Sequence, residues 1–408
     1  MKPITNKNSR SDSATLTAVG ELIKNRLYPL LKKSKAILRR IRSKDKDAAA
    51  PYAVKRQETV SPDAPRVTHI IANFMTGGSS RLVVDLIEQL GGGYRQNVMT
   101  RHIPDPPAYV GLEIEEYRYP VDEKPFLEFF KRSKTDFVHV HYWENRDEPW
   151  YHKAVRAAEI LGLPVIENIN TPVAPYLSDA VARYVYVSDF VRRTYGKNGA
   201  RHVTIHPGSD FSRFDRDDGE TLPEDCVGMV YRLEHDKLGP EAIEPFLRIA
   251  RKRPKTRILI VGGGSLLAVF KQATAKARLD DRFEFTGYVG YEQLPGLYRR
   301  LSLFIAPVRQ ESFGQVSPFA MNMRIPVIGY DVGALSEIID DPQLLAPPGD
   351  ADKLAGIAAD LLDNPELRER IGRRQRERAR RLFSVQAMIR SYGDLYAEIG
   401  RTLGKENA

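Results

Sequence analysis

At 408 residues the chain has room for two domains, each with a full core, and its 42% hydrophobic and 28% charged content is ordinary for a globular protein. A single cysteine, Cys226, excludes an intramolecular disulfide and a Cys-rich metal site and fits a reducing, cytoplasmic setting. The net charge of +9 is concentrated: residues 1–46 hold 13 Lys and Arg against Asp12, Glu21 and Asp45, a net +10, and the remainder sums to −1.

Residues 1–14 are polar, a composition that predicts disorder. From Leu16 to about Ile41, the residues Val19, Leu22, Ile23, Leu27, Leu30, Leu31, Leu38 and Ile41 fall at roughly helical spacing with Lys and Arg between them. This predicts a basic amphipathic helix, interrupted near Pro29, of the kind that lies on an anionic membrane surface; docking to a partner is the alternative. No reading motif for nucleic acid accompanies the charge. No apolar run approaches the ~18 residues of a membrane span, and no signal-peptide pattern is present. Residues 43–65 read as a linker.

Val67 to Ala72 predicts a strand that runs through a glycine turn at Gly77 and Gly78 into a helix ending near Leu90, where Gly91-Gly92-Gly93 stops it. The opening is Rossmann-like but lacks G-x-G-x-x-G, so a dinucleotide is not indicated. Asp136 to His141 predicts a strand with His139 and His141 on one face. The spacing offers no third ligand and zinc needs at least three, so no metal is expected. His141, at the strand's carboxyl end, is expected to face a cleft. The next strand, Pro164 to Asn170, ends in Asn170-Thr171-Pro172; Arg183 to Ser188 follows, and a segment from Val203 to Gly208 closes the first domain. Asp215-Arg216-Asp217 is nominally a D-x-D metal motif, yet its polar surroundings read as an interdomain linker.

In the second half, Val227 to Leu233 predicts a strand leading into Arg232 and Lys237, two cations that can hold a diphosphate from two directions. Ile258 to Val261 runs into Gly262-Gly263-Gly264, Phe283 to Val289 is a strand and loop, and Tyr291 to Arg300 a short helix. The densest signal is Gln310 to Gly333. After a strand at Leu303 to Ala306 come Glu311, a small-residue turn Ser312-Phe313-Gly314, and Gln315. A helix follows with an apolar stripe at Val316, Phe319, Ala320 and Met323, then a strand Ile325 to Gly329 and a second turn at Gly333. In an open α/β sheet this layout puts Glu311 and a helix N-terminus at the carboxyl ends of strands, where ligands bind. Backbone N–H groups there suit an anion, so a diphosphate can sit on the amides while the carboxylate holds sugar hydroxyls. Helices are expected at Asp350 to Asp363, Pro365 to Phe383 and Gln386 to Leu403.

The Gln310–Gly333 stretch, together with RLEHDKLG from Arg232, resembles the donor-site segments of the retaining family 4 glycosyltransferases, glycosyl transferases group 1. The resemblance runs from about Val67 to Leu403. It implies the α/β GT-B fold, two facing Rossmann-like domains with parallel sheets and a cleft between them. The implied division is a basic extension and linker at 1–65, an acceptor-side domain at 66–215, a nucleotide-sugar donor domain at 216–385, and a helix at 386–408 returning to the first domain. Glu311 matches the first glutamate of the family's motif, and Phe319 stands where the second would be. The implied catalytic set is Glu311, Arg232, Lys237 and Asn170, the last at a strand end where many members carry a His; an amide keeps a sugar hydrogen bond but does not titrate. The implied donor contacts are Gly77, Gly78, Gly263, Tyr288, Ser312, Phe313, Gly314, Gln315 and Phe319, with His141 on the acceptor side.

The activity implied is retaining transfer of a sugar from a nucleotide-sugar to a glycan or lipid-linked acceptor, in cell-envelope polysaccharide or lipopolysaccharide assembly, with no metal or other cofactor. No paired carboxylates at double-displacement spacing are visible, which favours an internal, same-face displacement. Phe319 and Asn170 leave open a catalytically inactive GT-B binding subunit, and a nucleotide-sugar epimerase or phosphorylase is a further alternative. Donor and acceptor identity belong to loops such as 101–124 and 142–150, which carry no readable motif.

Overall fold

The structure, a computed structural model, describes residues 51–55, 60–118, 122–142 and 148–406. The basic helix expected at 16–41, and the segments 119–121 and 143–147 of the two variable loops, lie outside the described residues.

Strands and helices alternate from the start: β1 (Tyr52–Ala53), β2 (Arg66–Ile71), α1 (Gly78–Leu90), β3 (Arg95–Thr100), β4 (Tyr109–Val110), β5 (Ile114–Glu116), α2 (Lys124–Ser133), β6 (Phe137–Tyr142), α3 (Glu148–Ile160), β7 (Val165–Ile169), β8 (Val181–Tyr186), α4 (Asp189–Tyr195) and β9 (His202–Thr204). Seven of the strands pair in parallel in the order β5-β3-β2-β6-β7-β8-β9, while β1 pairs with β4 apart from them. Parallel connections need crossovers, and crossover helices cover both sheet faces, which is why β6 and β7 are buried at every position. On one face Ile70, Val138 and Val140 pack with Phe126 and Phe130 of α2 and Tyr151 and Ala154 of α3. The opposite face, through Val67, Phe137, Ile166 and Val185, meets Leu82 and Leu86 of α1 and a helix from the far end of the chain.

The second half repeats the scheme with β10 (Cys226–Val230), α5 (Glu244–Lys252), β11 (Arg257–Val261), α6 (Leu267–Lys276), β12 (Phe283–Phe285), α7 (Leu294–Arg299), β13 (Leu303–Ala306), α8 (Val316–Asn322), β14 (Val327–Tyr330), α9 (Leu335–Ile339), β15 (Leu345–Ala346), α10 (Ala351–Asp363), α11 (Pro365–Leu382) and α12 (Val385–Glu406). The six strands are parallel in the order β12-β11-β10-β13-β14-β15. Two parallel α/β sheets, one in each half of the chain, are the arrangement the sequence resemblance implies. The face of α12 that carries Val385, Met388, Tyr392, Leu395, Tyr396 and Ile399 at helical spacing lies on the first sheet.

One local expectation changes, and one motif finds its partners. The stripe expected on α8 is replaced by burial nearly all round, Ser317 to Asn322 being buried without a break. The reason is the linker, which crosses the helix: Phe214 stacks on Phe319 with ring centroids 4.0 Å apart, and Asn322 Nδ2 donates to the Phe214 carbonyl at 2.6 Å. The nominal D-x-D is an arginine dock, with Asp215 held by Arg376 at 2.6 Å and by Arg380 at 3.0 Å.

Candidate active site

Four loops at the carboxyl ends of the second sheet form one rim. The loop after β10 is tied to that after β13: Arg309 N donates to Lys237 O at 2.8 Å and Gln310 Nε2 to Asp236 O at 2.6 Å. It is tied to the loop after β11 by Leu233 N to Gly263 O at 2.9 Å and Leu266 N to Leu233 O at 2.9 Å. The fourth loop, after β12, supplies Tyr288, whose ring lies flush on Gly263; a Cβ at that glycine would meet it at 2.6 Å. Tyr288 is 72% exposed, an aromatic face standing open on the rim.

Glu311 is the centre of this rim. Its side chain is 1% exposed, and Oε1 accepts from Lys237 Nζ at 2.6 Å, while Oε2 is buried with no hydrogen-bond partner. The two flanking turns are glycines because the chain passes Glu311 closely, at its carboxylate and at its backbone. A Cβ on Gly314 (φ +73°) would fall 2.3 Å from Glu311 Oε2, and one on Gly333 (φ +56°) 2.2 Å from the Glu311 carbonyl. Lys237 and Glu311 are therefore brought together as an ion pair. Arg232 is not with them; it pairs with Asp236 at 2.5 Å and leaves 65% of its side chain exposed. Ser312 is half-buried in the turn beside Glu311.

Phe313 and Gln315 turn toward the first half. Phe313, 3% exposed, sits between His206 and Phe383 at centroid distances of 5.5 and 5.4 Å, and Gln315 Nε2 donates to Gly208 O at 2.9 Å. Phe319 is 8% exposed beneath Phe214. Across the cleft, Gly77 and Gly78 are exposed at the start of α1, with nothing within 4 Å of a Cβ at either. One turn on, Arg81 pairs with Asp85 at 2.7 Å; burial pushes the Asp85 carboxyl up to about 6 against the pull of that cation. Asn170, at the end of β7, accepts from Asn168 Nδ2 through Oδ1, and its own Nδ2 has no partner. Asn168 in turn accepts from Tyr392 OH on α12, so the terminal helix reaches this strand end through two amides.

His141 departs from expectation. It is fully buried on the face covered by α12, not in the cleft, and its Nε2 lies 3.1 Å from His69 Nδ1. Strand alternation that puts His139 under the helix puts His141 there too. The third imidazole, His69, was hidden from the sequence because it lies on β2, paired in register with His139. Sequence reasoning also missed Glu337 of α9, which accepts from Asp189 N at 3.0 Å, Phe190 N at 2.8 Å and His206 Nε2 at 2.9 Å and so joins the two halves. A cavity of about 1410 Å³ between residues 218–225 and α11 contains none of these rim residues; its lining includes Arg324, Arg368 and Arg374.

Residues 211–378 match the family described as Glycosyl transferases group 1. The chain is 32% identical over 149 residues to a 2-deoxystreptamine glucosyltransferase of Streptomyces kanamyceticus, covering 35% of this chain and 38% of that one. It is 28% identical over 351 residues to a D-inositol 3-phosphate glycosyltransferase of Catenulispora acidiphila, covering 74% and 80%. A crystal structure of a glycosyltransferase from Rickettsia africae superposes with a TM-score of 0.68 at 17% identity, over 83% of this chain and 99% of that one.

Proposed function

We propose that this chain, a GT-B-fold glycosyltransferase related to the group 1 (family 4) superfamily, moves a sugar from a nucleotide-sugar to a glycan or lipid-linked acceptor with retention of configuration, in envelope polysaccharide or lipopolysaccharide assembly. The observation that carries the reading is the buried Glu311 carboxylate, ion-paired to Lys237 on a rim of strand-end loops. Lys237 orients the Glu311 carboxylate, and the orphan Oε2 is the acceptor for donor-sugar hydroxyls. Arg232, 65% exposed at the same rim, would exchange Asp236 for the diphosphate, and the backbone amides before α8 are the further donors this reading assigns to it. Tyr288 on Gly263 offers a stacking face to the nucleobase. Asn170 Nδ2 is a donor for the sugar from the opposite wall.

The protein's task in this reading is electrostatic: it stabilises the departing diphosphate while the acceptor enters on the same face. Arg232, Lys237 and backbone amides carry that charge, so turnover is expected to persist in EDTA. The basic segment at 1–46 supports work at an anionic membrane surface, where lipid-linked acceptors reside. Among the described residues no helix is long and apolar enough to cross a membrane.

The test is incubation of the purified chain with labelled nucleotide-sugars of different base and sugar. Slow release of free sugar from one of them, lost in Glu311→Gln, is expected. No hydrolysis of any donor, alongside measurable nucleotide-sugar binding, would instead favour a non-catalytic binding subunit.

A further inference from the structure

Behind the first sheet, away from the cleft, three imidazoles share one buried pocket. His69 on β2 pairs in register with His139 on β6, and His141 follows two residues later on the same face. All three are 0% exposed, and burial holds each in its neutral form. The Gln96 amide fixes the tautomer of His69. Gln96 Nε2 donates to the Leu86 carbonyl, which turns Gln96 Oε1 toward His69 Nε2 at 2.9 Å. His69 Nε2 therefore carries the proton, and its Nδ1 presents a lone pair to His141 Nε2, 3.1 Å away. His139 Nδ1 is engaged by Tyr396 OH at 2.8 Å. Two ring nitrogens, His139 Nε2 and His141 Nδ1, remain buried without a partner.

We propose that His69, His139 and His141 bind a divalent metal ion of the zinc class beneath α12. Neutral imidazole is a good ligand for such ions, and one nitrogen from each of the three residues lies within 4.8 Å of the others. The 3.1 Å between His69 Nδ1 and His141 Nε2 is close to the roughly 3.3 Å between two ligands of a tetrahedral ion bonded at ~2.0–2.1 Å; such an ion would replace the hydrogen bond between them, with His141 carrying its proton on the partnerless Nδ1. Gln96 on His69 and Tyr396 on His139 occupy the positions of outer partners that orient ligating histidines and set their tautomers. Tyr392 and Tyr396 close the pocket from the α12 side, so the ion would serve structure, joining β2 and β6 under the returning helix. The site is independent of the sugar-transfer reading, and its test needs no activity.

The full chain, carrying no histidine tag, is unfolded, refolded with Co²⁺ or with EDTA, and desalted. One equivalent of Co²⁺ per chain is expected, with the visible absorption of a low-coordinate cobalt–nitrogen site and a melting temperature above that of the EDTA sample. His141→Leu should abolish the absorption, and Tyr396→Phe should weaken affinity by roughly 10- to 100-fold. X-ray absorption on the wild-type zinc form, which depends on no variant folding, should show three imidazole nitrogens. Well under one equivalent of metal, absorption unchanged in His141→Leu, or a metal shell without imidazole would each overturn the site and leave a metal-free hydrogen-bond cluster.

Discussion

Glu311 and Lys237 are one buried pair to which the proposed reading gives a part in both fold and chemistry. Removing Lys237 leaves a carboxylate of 1% exposure without its cation, so Lys237→Ala should lower stability by roughly 1–3 kcal/mol as well as donor turnover. Lys237→Ala combined with Glu311→Gln should recover the melting temperature but not transfer. Arg232, 65% exposed, separates the two effects. Its alanine variant should melt like wild type while kcat/KM for donor falls ~10- to 100-fold, the worth of a charge-assisted contact of about 1.5–3 kcal/mol. Equal turnover in Arg232→Ala and wild type would remove it from the site. A second buried carboxylate, Glu167 on β7, gives a pH signature. Burial pushes it up to about 8, opposed by a hydrogen bond from Tyr176 N at 2.8 Å. Because this folded value lies above the unfolded one, its contribution to stability is complete below the usual carboxylate range and is lost as pH rises through about 8. Glu167→Gln keeps an acceptor for Tyr176 N but cannot ionise. Its melting temperature should therefore gain on wild type between pH 6 and pH 9; parallel curves would show that Glu167 does not titrate there.

At the scale of elements, α8 shows where a local pattern stops being informative. The period-3.6 stripe through Val316, Phe319, Ala320 and Met323 marked a helix correctly, but the linker buries the other face as well, so the stripe was only part of the contact surface. Phe319→Glu should destabilise the protein, since the new carboxylate would be forced against Phe214 without a partner, and should not tighten donor binding. Tighter binding at an unchanged melting temperature would mean that Phe319 borders an open pocket. Strands, glycine turns and the Glu311 turn were legible because each is written in a few consecutive residues. Neighbours in the sheet were not. His69 and His139 are adjacent only because β2 lies beside β6, and no spacing within either strand announces it. The same non-locality hid the direct Lys237–Glu311 pair, which arises because β10 lies beside β13.

For the whole molecule, two features act beyond any single site. The first is the charge of residues 1–46, a net +10 on an otherwise near-neutral chain. Deleting residues 1–50 should release the protein from anionic vesicles, and the intact chain should detach as salt shortens the reach of those charges; equal binding with and without the segment would refute the membrane role. The second is the contact that joins the two halves. Glu337 of α9 accepts from the first two backbone N–H groups of α4 and from His206, a carboxylate set at the positive end of a helix dipole. Gln315 crosses to Gly208 beside it, on the turn that carries Glu311. Together the α9–α4 and Gln315–Gly208 contacts tie the Glu311 turn to the first half. Removing the carboxylate leaves the α4 N–H groups to water and frees the halves to part. Glu337→Ala should enlarge the radius of gyration in small-angle scattering and raise the donor KM, with saturating donor restoring the compact form, because a ligand bound by both walls favours closure. Scattering and KM identical to wild type would mean that closure rests on α12 and the Phe313 contact alone.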